Sequence, residues 1–372
     1  MSVQIKNAQG ESTPRVVRGI DPGLAHLGWA EVRLAPLVHN LTLLGSGVCE
    51  TKGAETNIAI SNAQRSFQLA QYLDAQNISE GRGRYMPTAV ERYEHLRDSA
   101  SASKYASSHA IIVSKLGFVP EYIAARSMKK HVTGCDVASK RTVEHACARF
   151  VHGAREAFVV LRDARRSGYV EHLADAIGIA MSHLGFKQKP ILLSTYPLTH
   201  DTKLAIENQI SPPRKKCSLC KGRGRCVEVD SIEVNGKTTN PRSARCLCAS
   251  GPALEEAFDL LSLFPEEPTE DRSSVNGPAK RRAAAEALLP KLDGRAVIFL
   301  GNVVAKAFGV SPDEDPECAW FEVEEPRVSL KGEPTSVFMG ALIPHLDPKL
   351  WKDAKTARAT RSFLCSAARS AS

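Results

Sequence analysis

Apolar and polar residues alternate in three short runs near the start of the chain, over residues 15–20, 28–34 and 41–48, with turn formers between them. That period and spacing predict an antiparallel strand meander. The period then changes. Ile60, Phe67, Leu69, Tyr72 and Leu73 recur at helical spacing within residues 57–78, which predicts an amphipathic helix. Residues 86–91 read as a buried strand ending on an acid, 101–116 as a helix, and 119–123 as a further strand. Three helices are expected to complete this part: a short one near Arg126, a longer one from Ser139, and one over 169–184. The order meander, helix, strand, helix, strand, helices predicts an α/β fold with a mixed sheet.

From residue 186 to 216 periodicity fades, proline and lysine increase, and Ser211-Pro-Pro-Arg-Lys-Lys216 reads as a linker. A cysteine-rich stretch follows. A second, smaller α/β pattern then appears, with a helix over 280–289, a strand over 296–300, a helix over 302–308, strands over 320–328 and 337–343, and a last helix from 353 to about 365. The expected organisation is a frayed tail over 1–14, an α/β unit over 15–188, a linker over 189–216, a cysteine module over 217–250, and a second α/β domain over 251–372.

A length of 372 residues fits two domains and a small module. No run of about 18 apolar residues occurs, so no membrane span is expected. Residues 1–14 lack the apolar core of a signal peptide, and a cytoplasmic, non-secreted protein is expected. The formal net charge of +8 is compatible with a polyanionic partner. Of the 10 cysteines, Cys217, Cys220, Cys226, Cys246 and Cys248 fall close together, which in a reducing cytosol favours a metal site over disulfides.

The chemistry-bearing residues are acids at strand ends. Asp21 closes the first apolar run and is followed by Pro22-Gly23, a turn that fixes the direction in which the carboxylate projects. Glu91 ends the strand over 86–91. In Glu171-His-Leu-Ala-Asp175, His172 and Asp175 are three residues apart and share a helical face. Ile177, Ile179, Ala180 and Leu184 behind them would press that helix onto the sheet. Taken singly, Asp-Pro-Gly is also an ordinary turn, Glu91 a strand-end acid, His172 a surface imidazole and Asp175 a cap or ion-pair partner. Together they can converge on an oxygen-rich pocket for two Mg²⁺ or Mn²⁺ ions, which in such sites sit about 3.5–4 Å apart.

Six blocks, Arg18-Gly-Ile-Asp-Pro-Gly23 with Gly28-Trp29, Leu44-Gly-Ser-Gly47, Ala89-Val-Glu91, Ala125-Arg-Ser-Met-Lys129, Ala138-Ser-Lys140 and Leu173-Ala-Asp-Ala-Ile-Gly-Ile-Ala180, occur in order. In order and spacing this half of the chain resembles the RuvC Holliday junction resolvases. The resemblance implies an RNase H-like fold with a mixed five-stranded sheet, a homodimer, and Mg²⁺-dependent cutting of branched DNA. It implies that Asp21, Glu91, His172 and Asp175 are the catalytic, metal-binding set, and that Lys129 and Lys140 hold phosphate. Many members carry aspartate where this chain has His172; imidazole accepts Mn²⁺ readily, so a Mn²⁺ preference is expected. Arg126, Lys130 and Arg141 lie beside the matched lysines, and such cations would neutralise the DNA backbone. The family's aromatic three residues after the glutamate is replaced by Glu94, and Tyr93 is the nearest ring to contact DNA.

Cys217-Ser-Leu-Cys220-Lys-Gly-Arg-Gly-Arg-Cys226 and Cys246-Leu-Cys248 have the knuckle spacing of a structural Zn²⁺ site. Cys217, Cys220, Cys246 and Cys248 are the simplest ligand set, with Cys226 the alternative to Cys248. The Cys-x-x-Cys-x-Gly-x-Gly run is similar to the zinc-binding repeats of DnaJ-type chaperones. Residues 294–309 and the His345 loop resemble the latter half of the uracil-DNA glycosylase superfamily, which implies DNA contact at His345; that family's N-terminal water-activating motif is not recognisable. The expected function is therefore a metal-dependent, structure-selective endonuclease. The rival readings are a non-catalytic branched-DNA scaffold and a bifunctional enzyme that also removes uracil.

Overall fold

The computed structural model describes residues 15–35, 40–53, 57–76, 86–93, 99–164, 167–210, 225–227, 233–234, 237–238, 243–245, 253–265, 277–310, 318–324, 336–343 and 354–371. Two compact units divide the chain, the first built mainly from residues up to Gln188 and the second mainly from residues after it. No helix among the described residues is long and apolar enough to cross a membrane.

In the first unit β1 (Arg15–Pro22), β2 (His26–Leu34) and β3 (Leu41–Glu50) form the expected antiparallel meander. α1 (Ile58–Ala75) starts where the Asn57 side chain accepts hydrogen bonds from the Ala59 and Ile60 amides, which satisfies donors that a helix start leaves open. β4 (Thr88–Arg92), α2 (Ser99–Leu116), β5 (Glu121–Ala124), α3 (Ala125–Thr133) and α4 (Lys140–Phe150) follow. Ser139 caps α4 by accepting from Thr142 N at 3.0 Å. Then come β6 (Val151–His152), α5 (Ala154–Asp163) and α6 (Val170–His183).

The sheet order is β5-β4-β1-β2-β3-β6, with β4, β5 and β6 parallel to their neighbours β1, β4 and β3. The sheet is therefore mixed but six-stranded, not five-stranded. The extra strand is a two-residue addition at the edge, too short for any alternation to announce it. The helix expected from Ser139 ends at Phe150, and after β6 Gly153, with φ of 90°, stands at the start of α5.

Leu69 and Leu73 of α1 and Ile112 and Leu116 of α2 close over Ile20, Leu27, Trp29 and Val90 on one side of the sheet. α6 covers the other side, and two glycines let it come close. A Cβ on Gly19 would stand 2.1 Å from Ala176 O, and one on Gly28 2.2 Å from His172 O. Any larger residue would push α6 away from the strands that carry the acids.

The second unit holds a separate sheet in the order β12 (Asp259–Ser262), β7 (Ile191–Ser194), β13 (Ala296–Leu300), β15 (Val337–Ile343), β14 (Phe321–Glu324). The pairs β12/β7, β7/β13 and β13/β15 are parallel. α7 (His200–Ile210), α8 (Leu254–Ala257) and α11 (Ala354–Ala371) supply Ile206, Leu254 and Leu364 to a core with Leu192, Ile298 and Ile343. α9 (Pro278–Leu292) and α10 (Asn302–Ala307) flank β13 in sequence. Short strands β8 (Arg225–Val227) and β11 (Ser243–Arg245) pair antiparallel, as do β9 (Glu233–Val234) and β10 (Lys237–Thr238). The expected linker over 189–216 is corrected here. It carries β7, an interior strand of this sheet, and α7. A strand buried on both faces shows no alternation, and three apolar residues and a serine beside lysine and proline resemble a loop.

Candidate metal centre

Ile20 lies opposite Val90 across β1 and β4, so Asp21 and Glu91 leave neighbouring parallel strands one step later, at the same level. Asp175 reaches the same point from α6. One carboxylate oxygen from each of Asp21, Glu91 and Asp175 lies within 4.8 Å of the others. Asp21 and Glu91 are buried, and Asp175 is partly exposed. The fourth expected member, His172, stands beside this trio, its Nδ1 2.7 Å from Asp21 Oδ2.

So many acids in so small a volume cannot all stay ionised in a dry site. Burial, then the negative charges of Asp21 and Asp175, raise the Glu91 pKa. Burial and the Asp21 charge likewise raise Asp175, against the opposing pull of Lys140, Lys129 and His172. For His172, burial disfavours the cation, but the hydrogen bond and charge of Asp21 outweigh it and raise its pKa. The cluster thus calls for positive charge, as protons or as a cation. Its donors are hard carboxylate oxygens on rigid backbone, which suit Mg²⁺ or Mn²⁺.

Cations gather on α3 and α4. Lys140 Nζ lies 2.7 Å from Glu171 Oε2. Burial lowers the Lys140 pKa, but Glu171, Asp175 and Asp21 more than reverse this. Lys129 is half-buried and Lys130 likewise, while Arg126 and Arg141 are exposed on the same two helices. Tyr93 is 43 % exposed just past Glu91; burial of its hydroxyl and the nearby charges of Asp21, Glu91 and Asp175 raise its pKa.

Over 187 residues the chain is 31 % identical to a crossover junction endodeoxyribonuclease RuvC of Beijerinckia indica, covering 49 % of this chain and 94 % of that protein. The chain belongs to the RuvC family. A second RuvC, from Helicobacter hepaticus, is 27 % identical over 172 residues, covering 45 % of this chain and 81 % of the relative. Among solved structures, a T. thermophilus RuvC in complex with a Holliday junction substrate matches with a TM-score of 0.30 and 24 % identity, covering 46 % of this chain and 93 % of that one. The fowlpox virus Holliday junction resolvase matches with a TM-score of 0.28 and 8 % identity, covering 46 % and 98 %. No family model matches the chain. The RuvC homology occupies roughly the N-terminal half.

Within this RuvC-like half, α2 forms where the sequence predicts a helix, but no local pattern announces its part in the site. Tyr105 OH lies 3.2 Å from Glu91 O and 3.3 Å from Tyr93 N. Ser108 Oγ lies 3.0 Å from Pro22 O. These two residues, three apart on one helix face, tie down the ends of both acid-bearing strands; their spacing was the available signal. His26 was also missed, its ring 5.3 Å from that of His172. Cys217, Cys220, Cys246, Cys248, Glu94 and His345 lie outside the described residues. Cys226 lies in β8, its backbone opposite Ala244.

Proposed function

We propose that this chain is a divalent-metal-dependent endodeoxyribonuclease that hydrolyses phosphodiesters in branched DNA, of Holliday junction resolvase type. The observation that carries the reading is the convergence of Asp21, Glu91 and Asp175 within 4.8 Å, in a half-chain that spans 94 % of a RuvC relative. Asp21, Glu91 and Asp175, with His172 alongside, would hold Mg²⁺ or Mn²⁺, which would supply water activation and stabilisation of the departing 3′ oxygen. The protein's own part is to hold the acids rigidly, through Tyr105 and Ser108 on the strand ends and through α6 seated on Gly19 and Gly28.

Lys129 and Lys140 attract the phosphate, and the Lys140–Glu171 ion pair holds the ammonium at the rim until a phosphate competes for it. Arg126, Lys130 and Arg141 extend that basic surface along the backbone, supplying affinity and register but little sequence information. Tyr93 contacts DNA beside Glu91. The functional particle is a homodimer, because a four-way junction presents two related strands to cut.

Cys217, Cys220, Cys246 and Cys248 bind one structural Zn²⁺. The antiparallel pairing of β8 with β11 supports this, since it joins the segment following the first pair of cysteines to the segment preceding the second. The second unit, His345 included, widens the DNA footprint without excising bases.

Purified protein incubated with four-way, Y-shaped and linear duplex DNA, with and without Mg²⁺ or Mn²⁺, tests the reading. Metal-dependent cutting of the branched forms in preference to the linear duplex is expected. Binding without cutting under every metal condition would instead favour the scaffold reading.

A further inference from the structure

Glu171 lies in the first turn of α6, next in sequence to His172. An acid at a helix start is favoured by the open amides there, and beside a lysine it makes an ordinary surface ion pair. Its Oε2 forms such a pair, 2.7 Å from Lys140 Nζ. The other oxygen has a different neighbour. Oε1 lies 3.9 Å from His172 Nε2, the ring nitrogen that the Asp21 contact leaves over.

The helix alone does not bring these two groups together. Successive residues leave an α-helix about 100° apart, so neighbours in sequence do not ordinarily face each other. Glu171 meets the imidazole because its carboxylate is turned toward the ring, while Lys140 holds the far oxygen. The result is an oxygen and a nitrogen donor standing beside the carboxylate trio and linked to it through Asp21. Donors about 2.1 Å from a shared ion of Mg²⁺ size lie about 3 Å apart at right angles and about 4.2 Å apart across it. The 3.9 Å between Oε1 and Nε2 falls between those limits. With 38 % of its side chain exposed, Glu171 is also open to an arriving ion.

We infer that Glu171 is a metal ligand, holding with His172 Nε2 a second divalent cation beside the one that Asp21, Glu91 and Asp175 would hold. The inference rests on the nuclease reading for the metal centre and adds a ligand that reading does not use. A mixed imidazole and carboxylate pair suits Mn²⁺ better than Mg²⁺, so this second position is the more selective of the two. Lys140 and the cation share the carboxylate, one oxygen each.

The test titrates Mn²⁺ into the metal-free full chain without DNA, with free and bound ion read by electron paramagnetic resonance. Wild-type protein should bind two ions per chain, and the weaker one should show nitrogen coupling that His172→Gln removes. Glu171→Gln should weaken that ion roughly tenfold to a hundredfold and leave the tighter one in place. Glu171→Asp keeps the charge but shortens the reach by one methylene, so it should weaken the same ion nearly as much. Lys140→Ala removes the ion pair without touching either donor, and both ions should remain. A single ion per chain in wild type, or a wild-type isotherm in Glu171→Gln, would overturn the assignment. Loss in Glu171→Gln with full retention in Glu171→Asp would also overturn it, since charge alone would then account for the effect. Failure of the nuclease reading would show separately, as absence of branched-DNA cutting when metal is added, because the isotherms involve no DNA.

Discussion

His172 Nδ1 lies 2.7 Å from Asp21 Oδ2, joining α6 to the end of β1 at the acid cluster. With Nδ1 turned to Asp21, Nε2 is the nitrogen left for a cation, and Glu171 Oε1 lies 3.9 Å from it. The imidazole thus orients Asp21 and, in the proposed nuclease, would supply a donor softer than carboxylate. His172→Asp replaces that donor with a hard oxygen, so the ratio of Mn²⁺- to Mg²⁺-supported cleavage should fall. An unchanged ratio in steady-state rates would make His172 a bystander to metal choice.

Removing charge without volume separates chemistry from binding. Asp21→Asn or Glu91→Gln should lower metal-dependent cleavage by a factor of at least about 10³, because the ion and its activated water lose their seat. Affinity for branched DNA should largely survive, since phosphate contacts come from the lysines. Single-turnover rates and electrophoretic binding of the same variants check this pair of outcomes. Cleavage at the wild-type rate in either variant removes that residue from the catalytic set.

The raised pKa values of Glu91 and Asp175 make the metal-free protein sensitive to pH. Above the ordinary carboxylate range the unfolded chain has lost these protons while the folded chain still holds them, so stability falls as pH rises toward the raised values. In EDTA the melting temperature should drop between about pH 5 and about pH 8. Added Mg²⁺ should shrink the drop, and Glu91→Gln should shrink it without metal. Thermal melts that rise over this window in EDTA, or a slope indifferent to Glu91→Gln, would contradict the charge balance described for the cluster.

The close seat of α6 predicts a purely steric effect. Gly19→Ala or Gly28→Ala places a methyl against a backbone carbonyl that cannot turn aside. Each should destabilise the fold by roughly 3 kcal/mol, the upper part of the usual overpacking range. Because Asp175 rides on α6, activity should also fall below what the folded fraction explains. Urea midpoints together with specific activity measure both, and midpoints equal to wild type would mean that the helix has room to retreat.

Much of this was legible in the chain because strong local signals agreed with the fold. Ala296–Leu300 and Val337–Ile343 are apolar runs long enough to be read as strands, and both form over those bounds. Asp21 and Glu91 could be read as strand-end acids, and Asp175 as the helical partner of His172. Local pattern misled elsewhere. Ile60 and Phe67 sit at helical spacing with Leu69 and Leu73, yet only the two leucines are buried while Ile60 and Phe67 are exposed. Ile191–Ser194 looked like part of a linker because a short strand buried on both faces has no period. Tyr93, Tyr105, His109 and Tyr122 make successive ring contacts that no local pattern announced, because they come from the end of β4, from α2 and from β5, which only the packed fold brings together.

The zinc ligands proposed for the cysteine module are separate in sequence from the acids of the metal centre. A four-thiolate site holds Zn²⁺ tightly only while all four sulfurs are present. Purified protein should therefore carry one zinc per chain by elemental analysis, and Cys217→Ser combined with Cys220→Ser should remove it. Cys226→Ser should leave the zinc in place if Cys248 is the fourth ligand, and Cys248→Ser should then release it; the reverse pattern would assign Cys226. Cleavage of branched DNA should persist in the double serine variant, since Asp21, Glu91 and Asp175 come from the first unit alone, while salt-sensitive binding weakens as the basic residues around the knuckle lose their order. Protein with no zinc as purified, or with zinc unaffected by the double substitution, would refute the site.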